Sequence, residues 1–277
     1  TAREYIEQAS KWGHKAIAIT DHGVVQSYPE AMKAAKGKDI KVIYGLEAYV
    51  VDEPNKIVMK PTDTNVDDAI YTVFDLETTG LSSRIDEIIE IGAVKVQNGM
   101  ILEKFQTFIN PGRSLSSKIT EITSITDDML KDAPTLDEVL KDFLDFISGT
   151  ILVAHNAYFD MSFLKEAIAR HGLPKLENPA IDTLPLSRYL YKDARAHNLG
   201  SVSRRFNIEY DEEIAHRADY DATVLFNVFE VMLREVIDNH NVKTLNDLSK
   251  LVHEDSYKRT RPIHMVLLAK NEQGIKD

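Results

Sequence analysis

Residues 71–80 read Tyr-Thr-Val-Phe-Asp-Leu-Glu-Thr-Thr-Gly, a run of β-branched and aromatic residues ending in a turn signal. Side chains alternate faces along a strand, so Asp75 and Glu77 share one face and Leu76 points to the other. Two carboxylates at the end of an apolar strand repel each other and resist leaving water. They need hydrogen bonds, a shared proton or a cation to be held there. A hard divalent ion such as Mg²⁺ suits oxygen ligands of this kind. Taken alone, Asp75-Leu76-Glu77 also fits an exposed strand end with two solvated acids.

Two further places repeat the chemistry. His155-Asn156-Ala157-Tyr158-Phe159-Asp160 ends a short apolar strand and puts an Asp at the opening of a helix. His216-Arg217-Ala218-Asp219-Tyr220-Asp221 stands where a long helical pattern begins. Each residue has an ordinary alternative. Asp160 could be a helix N-cap, Asp219 and Asp221 could complement the helix dipole, and His216 could be a loop histidine. His171, His197 and His240 fall on surface-like segments, whereas His155 adjoins the candidate site.

The elements that must position these groups follow from periodicity. Segments 71–77, 87–97 and 100–109 have strand patterns, the last two joined by Asn98-Gly99, a tight-hairpin signal. Segment 135–147 places Leu136, Val139, Leu140, Phe143, Leu144 and Ile147 on one helical face, with Gly149 as terminator. Residues 151–154 form a short buried strand. Helices are expected over 160–170, 182–191, 198–206 and about 219–238, with a weaker pattern over 244–252. Strands followed by helices around a further buried strand imply an α/β layer with a mixed sheet over about 70–240. Before it, helical spacing over 1–12, strands at 16–19 and 41–51, and a short helix over 29–36 form a separate group. Residues 264–269 resume strand character.

Composition narrows the classes. The 277 residues, 43% hydrophobic and 28% charged, are ordinary for a globular chain. No apolar run approaches the roughly 20 residues of a membrane span, and no leader resembles a signal peptide. With no cysteine there is neither a disulfide nor a thiolate metal site, which fits a cytoplasmic protein. A net charge of -11 opposes a broad electrostatic grip on nucleic acid, unless metal ions supply positive charge where phosphate binds.

The three acidic places, in this order and at these intervals, resemble the DEDDh family of 3′→5′ exonucleases, over about 71–233. The resemblance implies a ribonuclease H-like mixed sheet flanked by helices. It implies that Asp75, Glu77, Asp160 and Asp221 hold two Mg²⁺ or Mn²⁺ ions and that His216 takes the proton of the attacking water. An imidazole, which titrates near neutrality, suits that role. The product would be a nucleoside monophosphate. Thr78, Thr79 and Asn156 are candidates for holding the terminal nucleotide, and aromatic side chains for stacking on its base. Asp219 is left as a cap or surface residue.

The flanks carry a second, partial resemblance. Thr20-Asp21-His22-Gly23, Tyr44-Gly45-Leu46-Glu47 and His264-Met265-Val266-Leu267-Leu268 are similar to the PHP (polymerase and histidinol phosphatase) domain of bacterial replicative polymerases. Asp21, His22, Glu47 and His264 would belong to its metal cluster. The paired histidines expected before the first motif are absent, so that metal site is expected to be incomplete. PHP-like pieces on both sides of the exonuclease-like unit resemble PolC-type DNA polymerase III alpha subunits, in which an exonuclease is inserted in a truncated PHP fragment here. The divisions expected are 1–52 (PHP-like), 53–69 (linker), 70–240 (exonuclease), 241–262 (helix and linker) and 263–277 (PHP-like resumption). The PHP-like part, with only some of its layers, is expected to be poorly ordered because it cannot close its own core.

The function expected is metal-dependent proofreading of single-stranded or frayed DNA 3′ ends, without DNA synthesis. Its partners would be the remainder of a polymerase chain and replisome components such as the sliding clamp, with no membrane. Two rivals remain: an exoribonuclease trimming RNA 3′ ends, and a catalytically silent docking module.

Overall fold

The computed structural model describes residues 1–50, 56–211, 214–251 and 263–276. It separates into two units, one of residues 1–55 with 255–277 and the other of residues 56–254.

The first unit begins with α1 (Ala2–Lys11), β1 (Ala16–His22), α2 (Tyr28–Ala35) and β2 (Lys41–Val50). Thr1 and Glu4 form a capping box that starts α1. β1 and β2 run parallel, and α1 and α2 bury Ile6, Ala9, Ala31 and Ala34 with Ile19 and Ile40.

The second unit carries β3 (Val58–Met59), β4 (Tyr71–Thr78), β5 (Ile88–Gln97), β6 (Met100–Phe108), α3 (Ser117–Thr123), α4 (Asp127–Leu130), α5 (Leu136–Phe146) and β7 (Ile151–Ala154). These are followed by α6 (Ala157–Arg170), β8 (Ala180–Asp182), α7 (Thr183–Leu190), α8 (Leu199–Arg205), α9 (Ala218–His240) and α10 (Leu245–Ser249). Six strands form one mixed sheet in the order β3-β8-β7-β4-β5-β6, with β4 parallel to β7 and antiparallel to β5. The hairpin between β5 and β6 turns at Asn98 and Gly99, both at positive φ (51° and 72°), the conformation that matches strand twist.

The period of two along β4 sorts its residues between the two layers. Tyr71 and Val73 face α9 and pack with Leu225, Phe229, Met232 and Val236. Phe74 and Leu76 face the other way, onto Phe143 of α5 and Leu164 of α6. Phe229 and Phe143 are fully buried, and truncating either to alanine would cost about 3–5 kcal/mol. Asp75 and Glu77 therefore continue the α9 face of β4, where the helix begins.

Three sequence expectations need correction. The segment expected to be a linker, 53–69, is packed over its described part: Ile57, Val58, Val66 and Ala69 are buried, and β3 pairs with β8. Its polar, proline-containing composition hides four apolar anchors too widely spaced to show a period. Val242, Leu245 and Leu248 likewise join the same core, so the start of segment 241–262 belongs to this unit; residues 252–262 lie outside the described ones. Asp160 is not the opening residue of its helix. α6 starts at Ala157 after Asn156, whose left-handed φ of 68° turns the chain from β7 into the helix.

The chain re-enters the first unit with β9 (Ile263–Leu268), antiparallel to β2, and ends with α11 (Gln273–Lys276). All six residues of β9 are exposed.

Candidate active site

β4, α6 and the start of α9 converge on a cleft of about 680 Å³. Asp75, Glu77, Asp160, His216 and Asp221 all line it, joined by Leu81, His155, Asn156, Phe159, Arg204 and Tyr210. The three acidic segments lie more than fifty residues apart in sequence and meet here. They meet because β4 and β7 are parallel neighbours whose chains leave the sheet at the same end, and α9 packs across that end.

Backbone bonds fix the carboxylates. Asp160, buried on the first turn of α6, accepts the N–H of Leu76 at Oδ1 over 3.2 Å. Asp221, on the first turns of α9, accepts the N–H of His216 at Oδ2 over 3.1 Å. That bond holds His216 in a left-handed conformation (φ 63°), which costs an ordinary residue of order 1 kcal/mol. Tyr210 lines the same cleft as Asp221. Among the described residues, Asp221 Oδ1 is buried with no hydrogen-bond partner.

The electrostatics are those of crowded acids. Burial, followed by the charges of Asp160, Glu77 and Asp221, holds the Asp75 carboxyl well above the usual carboxylate range. Burial and then Asp221 and Glu90 push Glu77 up to about 9. Burial raises Asp160 to about 8 against the N–H groups of Asp160 and Leu76, and raises Asp221 to about 6 against the His216 N–H and the Tyr210 hydroxyl. Such a set stays ionised together only with a compensating cation. Ligand atoms of Glu77, His216 and Asp221 lie within 4.8 Å of one another. The carboxylates of Asp75, Glu77, Asp160 and Asp221 offer the oxygen ligands that suit a divalent cation such as Mg²⁺ or Mn²⁺.

The neighbouring residues have other duties. His155 donates from Nε2 to the carbonyl of His197 (2.8 Å), and its Nδ1 meets the Thr183 hydroxyl (2.8 Å). Burial lowers its pKa to about 4, so this ring stays neutral. His197, expected at the surface, is buried against Ser187. Asn156 lines the cleft, but Thr78 and Thr79 do not. The Thr78 hydroxyl donates to the Gly80 carbonyl and Thr79 Oγ1 is held by Asp86, Arg113 and the Glu87 N–H, so both hydroxyls serve the loop after β4. Leu81, on that loop, stands 89% exposed at the cleft mouth.

Four residues of the surroundings were not singled out from sequence. Asp182 accepts the N–H groups of Asn156 and Leu184 at Oδ1 (3.0 Å each), capping the starts of α6 and α7 together. Glu90, Tyr210 and Arg204 are the others. Glu90 alone had a sequence signal, a lone acid inside the apolar run Ile88-Ile89-Glu90-Ile91.

In the first unit, Glu47 bridges two histidines, His22 (Nδ1 to Oε2, 3.1 Å) and His264 (Nδ1 to Oε1, 2.6 Å), and Tyr49 bonds His22. Asp21 stands outside this trio and instead binds the N–H and hydroxyl of Ser27.

A family model described as "Exonuclease" (RNase_T) matches residues 72–229. The chain is similar to PolC-type DNA polymerase III of Staphylococcus epidermidis, with 46% identity over 277 residues, 99% of this chain and 19% of that protein. The corresponding protein of Streptococcus sanguinis is 44% identical over 275 residues, again 99% of this chain and 19% of its own length. The chain thus spans under a fifth of the curated relatives it matches. Among solved structures, the nuclease domain of 3′hExo, a DEDDh family member bound to rAMP, superposes with a TM-score of 0.55 at 22% identity, over 65% of this chain and 98% of that one. Exonuclease I of E. coli in complex with a dA16 oligonucleotide gives 0.53 at 15% identity, over 62% of this chain and 42% of that one. These two share its fold, a mixed sheet flanked by helices.

Proposed function

Because this chain belongs to the exonuclease family, we propose that it removes nucleotides one at a time from DNA 3′ ends, as the proofreading part of a PolC-type polymerase. The observation that carries the reading is the convergence of Asp75, Glu77, Asp160 and Asp221 with His216 in one cleft. Retention of all five argues against a silent docking module. The 43–46% identity to replicative DNA polymerases favours DNA over RNA.

Asp75, Glu77, Asp160 and Asp221 would hold the divalent ions, in keeping with two Mg²⁺ or Mn²⁺. When bound, such ions lower the pKa of a water and offset charge developing on phosphate and the leaving 3′ oxygen. His216, at the cleft rim, accepts the proton of the attacking water at a ring nitrogen. Its backbone bond to Asp221 ties the base to the carboxylate cluster. Leu81 and Phe159 offer apolar walls on which the terminal base can rest, and Asn156 a polar contact. His155, neutral and bonded at both nitrogens, orients the turn that presents Asn156.

The substrate would be a frayed or single-stranded DNA 3′ end. The remainder of the polymerase chain, and replisome components such as the sliding clamp, would be its partners in the cytoplasm. No described helix is long and apolar enough to cross a membrane. A 5′-labelled oligonucleotide tests the direction. A ladder of shortened products keeping the label, formed with Mg²⁺ and not with EDTA, supports the reading; early release of the label alone refutes it.

A second reading applies to the first unit, where the trio His22, Glu47 and His264 favours a partial PHP-type metal site. Zinc or manganese titration of wild type against His264→Ala tests it, and equal binding would dismiss it.

A further inference from the structure

β5 brings two unusual residues to the face that meets α9. Glu90 is 0% exposed, and Gly92 follows two positions on. Their cross-strand partners on β4 are Glu77 and Asp75: Glu77 pairs with Glu90, and Asp75 with Gly92. The positions beside the two acids are thus a buried charge and a missing side chain.

Each does something specific to the start of α9. Glu90 accepts Arg217 Nε and the Ala218 N–H at Oε2 (3.1 and 3.2 Å), and Arg217 Nη2 and Gln106 Nε2 at Oε1 (3.1 and 3.0 Å). It thereby satisfies a free N–H of the helix terminus that Arg217, the N-cap residue, does not cap with its own side chain. The Arg217 guanidinium lies over the Phe108 ring, 4.9 Å from its centre. Gly92 allows close approach: a Cβ there would sit 2.1–2.2 Å from the carbonyl of Ala218 and the nitrogen of Asp219. Those are backbone atoms and cannot swing aside, so only glycine lets the helix rest on the strand at this depth.

Arg217, Ala218 and Asp219 all lie between His216 and Asp221. We propose that Glu90 and Gly92, through Arg217 and Ala218, form a seat that sets the reach of His216 and Asp221 toward Asp75 and Glu77, making them positioning residues for hydrolysis. A buried carboxylate is costly, and an apolar pair would hold the helix as well or better if only stability were at stake. The inference rests on the exonuclease reading for its catalytic consequence, but its geometric content stands apart from activity.

The experiment uses the full chain with three variants. Gly92→Ala lifts the first turn of α9, Arg217→Lys keeps the charge but loses the two-pronged grip, and Arg217→Ala removes both. On a 3′-tailed DNA with Mn²⁺, displacement by about 1 Å should lower kcat roughly 10–100-fold in Gly92→Ala, with KM within about twofold. Arg217→Ala should lose more than Arg217→Lys, and all three should melt cooperatively well above the assay temperature. Mn²⁺ binding, read by electron paramagnetic resonance, should weaken in Gly92→Ala because Asp221 moves with the helix. Wild-type kcat in Gly92→Ala and Arg217→Ala, or losses that vanish when each is assayed the same interval below its own Tm, would overturn the seat. If wild type itself releases no nucleotide, the exonuclease reading fails alone. The Mn²⁺ titration then decides the seat, with weaker binding in Gly92→Ala supporting it and unchanged binding rejecting it.

Discussion

Asp160 Oδ1 accepts the backbone N–H of Leu76, the residue between Asp75 and Glu77, over 3.2 Å. One hydrogen bond therefore ties the carboxylate of α6 to the strand that presents the other two. The bond fixes the Asp160 side chain relative to the backbone of β4 between the two other acids.

Removing one of these acids separates catalysis from stability. Asp75→Asn should lower hydrolysis by at least about 10²-fold, the order expected when an electrostatic or acid–base group is lost. Its Tm in EDTA should equal or exceed that of wild type, since a buried like charge is gone. Wild type, and not the variant, should gain the full rise in Tm on adding Mg²⁺. Paired activity and melting measurements check this; a large loss of Tm in EDTA would give Asp75 a structural role.

Burial of these acids, with the repulsion among them, also sets a pH dependence. Folded-state values are raised, to about 9 for Glu77, about 8 for Asp160 and about 6 for Asp221, so the folded protein holds these protons more tightly than the unfolded chain. Their contribution is present below the unfolded value of about 4 and is lost as pH rises through the folded values. Metal-free protein should therefore lose Tm from about pH 4 toward about pH 9. Excess Mg²⁺ should flatten the fall in its upper part. A Tm in EDTA that climbed over this range would contradict the raised values.

Asp182 should matter for stability without touching substrate. Its Oδ1 receives two helix-starting N–H groups, so Asp182→Ala should cost about 1–3 kcal/mol in urea unfolding. Because Asn156 begins the turn that leads to Asp160, kcat should also fall. Unfolding indistinguishable from wild type would mean that other groups or water take over both caps.

The acidic motifs were legible because each ends an element with a strong pattern: the alternation before Asp75, the apolar run before His155 and the long amphipathic helix after His216. The strands of the central hairpin and the helix at 135–147 were readable for the same reason. What escaped was set by tertiary geometry. Ile57, Val58 and Val66 anchor a polar segment with no period, and β8 has only three residues, Ala180–Asp182, too few to alternate. Thr78 and Thr79 looked like substrate contacts because they follow the acids, yet their hydroxyls close the loop that carries Leu81. Asp182, Tyr210 and Arg204 come to the cleft region from elements whose local sequence announces no chemistry.

The most direct test of the account compares wild type with His216→Ala on a 3′-tailed DNA and its RNA counterpart, with Mg²⁺ or Mn²⁺. Stepwise release of nucleoside monophosphates from the DNA 3′ end is expected, slower on RNA, and reduced roughly 10²–10⁴-fold in the variant. Faster trimming of RNA, equal rates in His216→Ala, or no metal-dependent release from either substrate would contradict it.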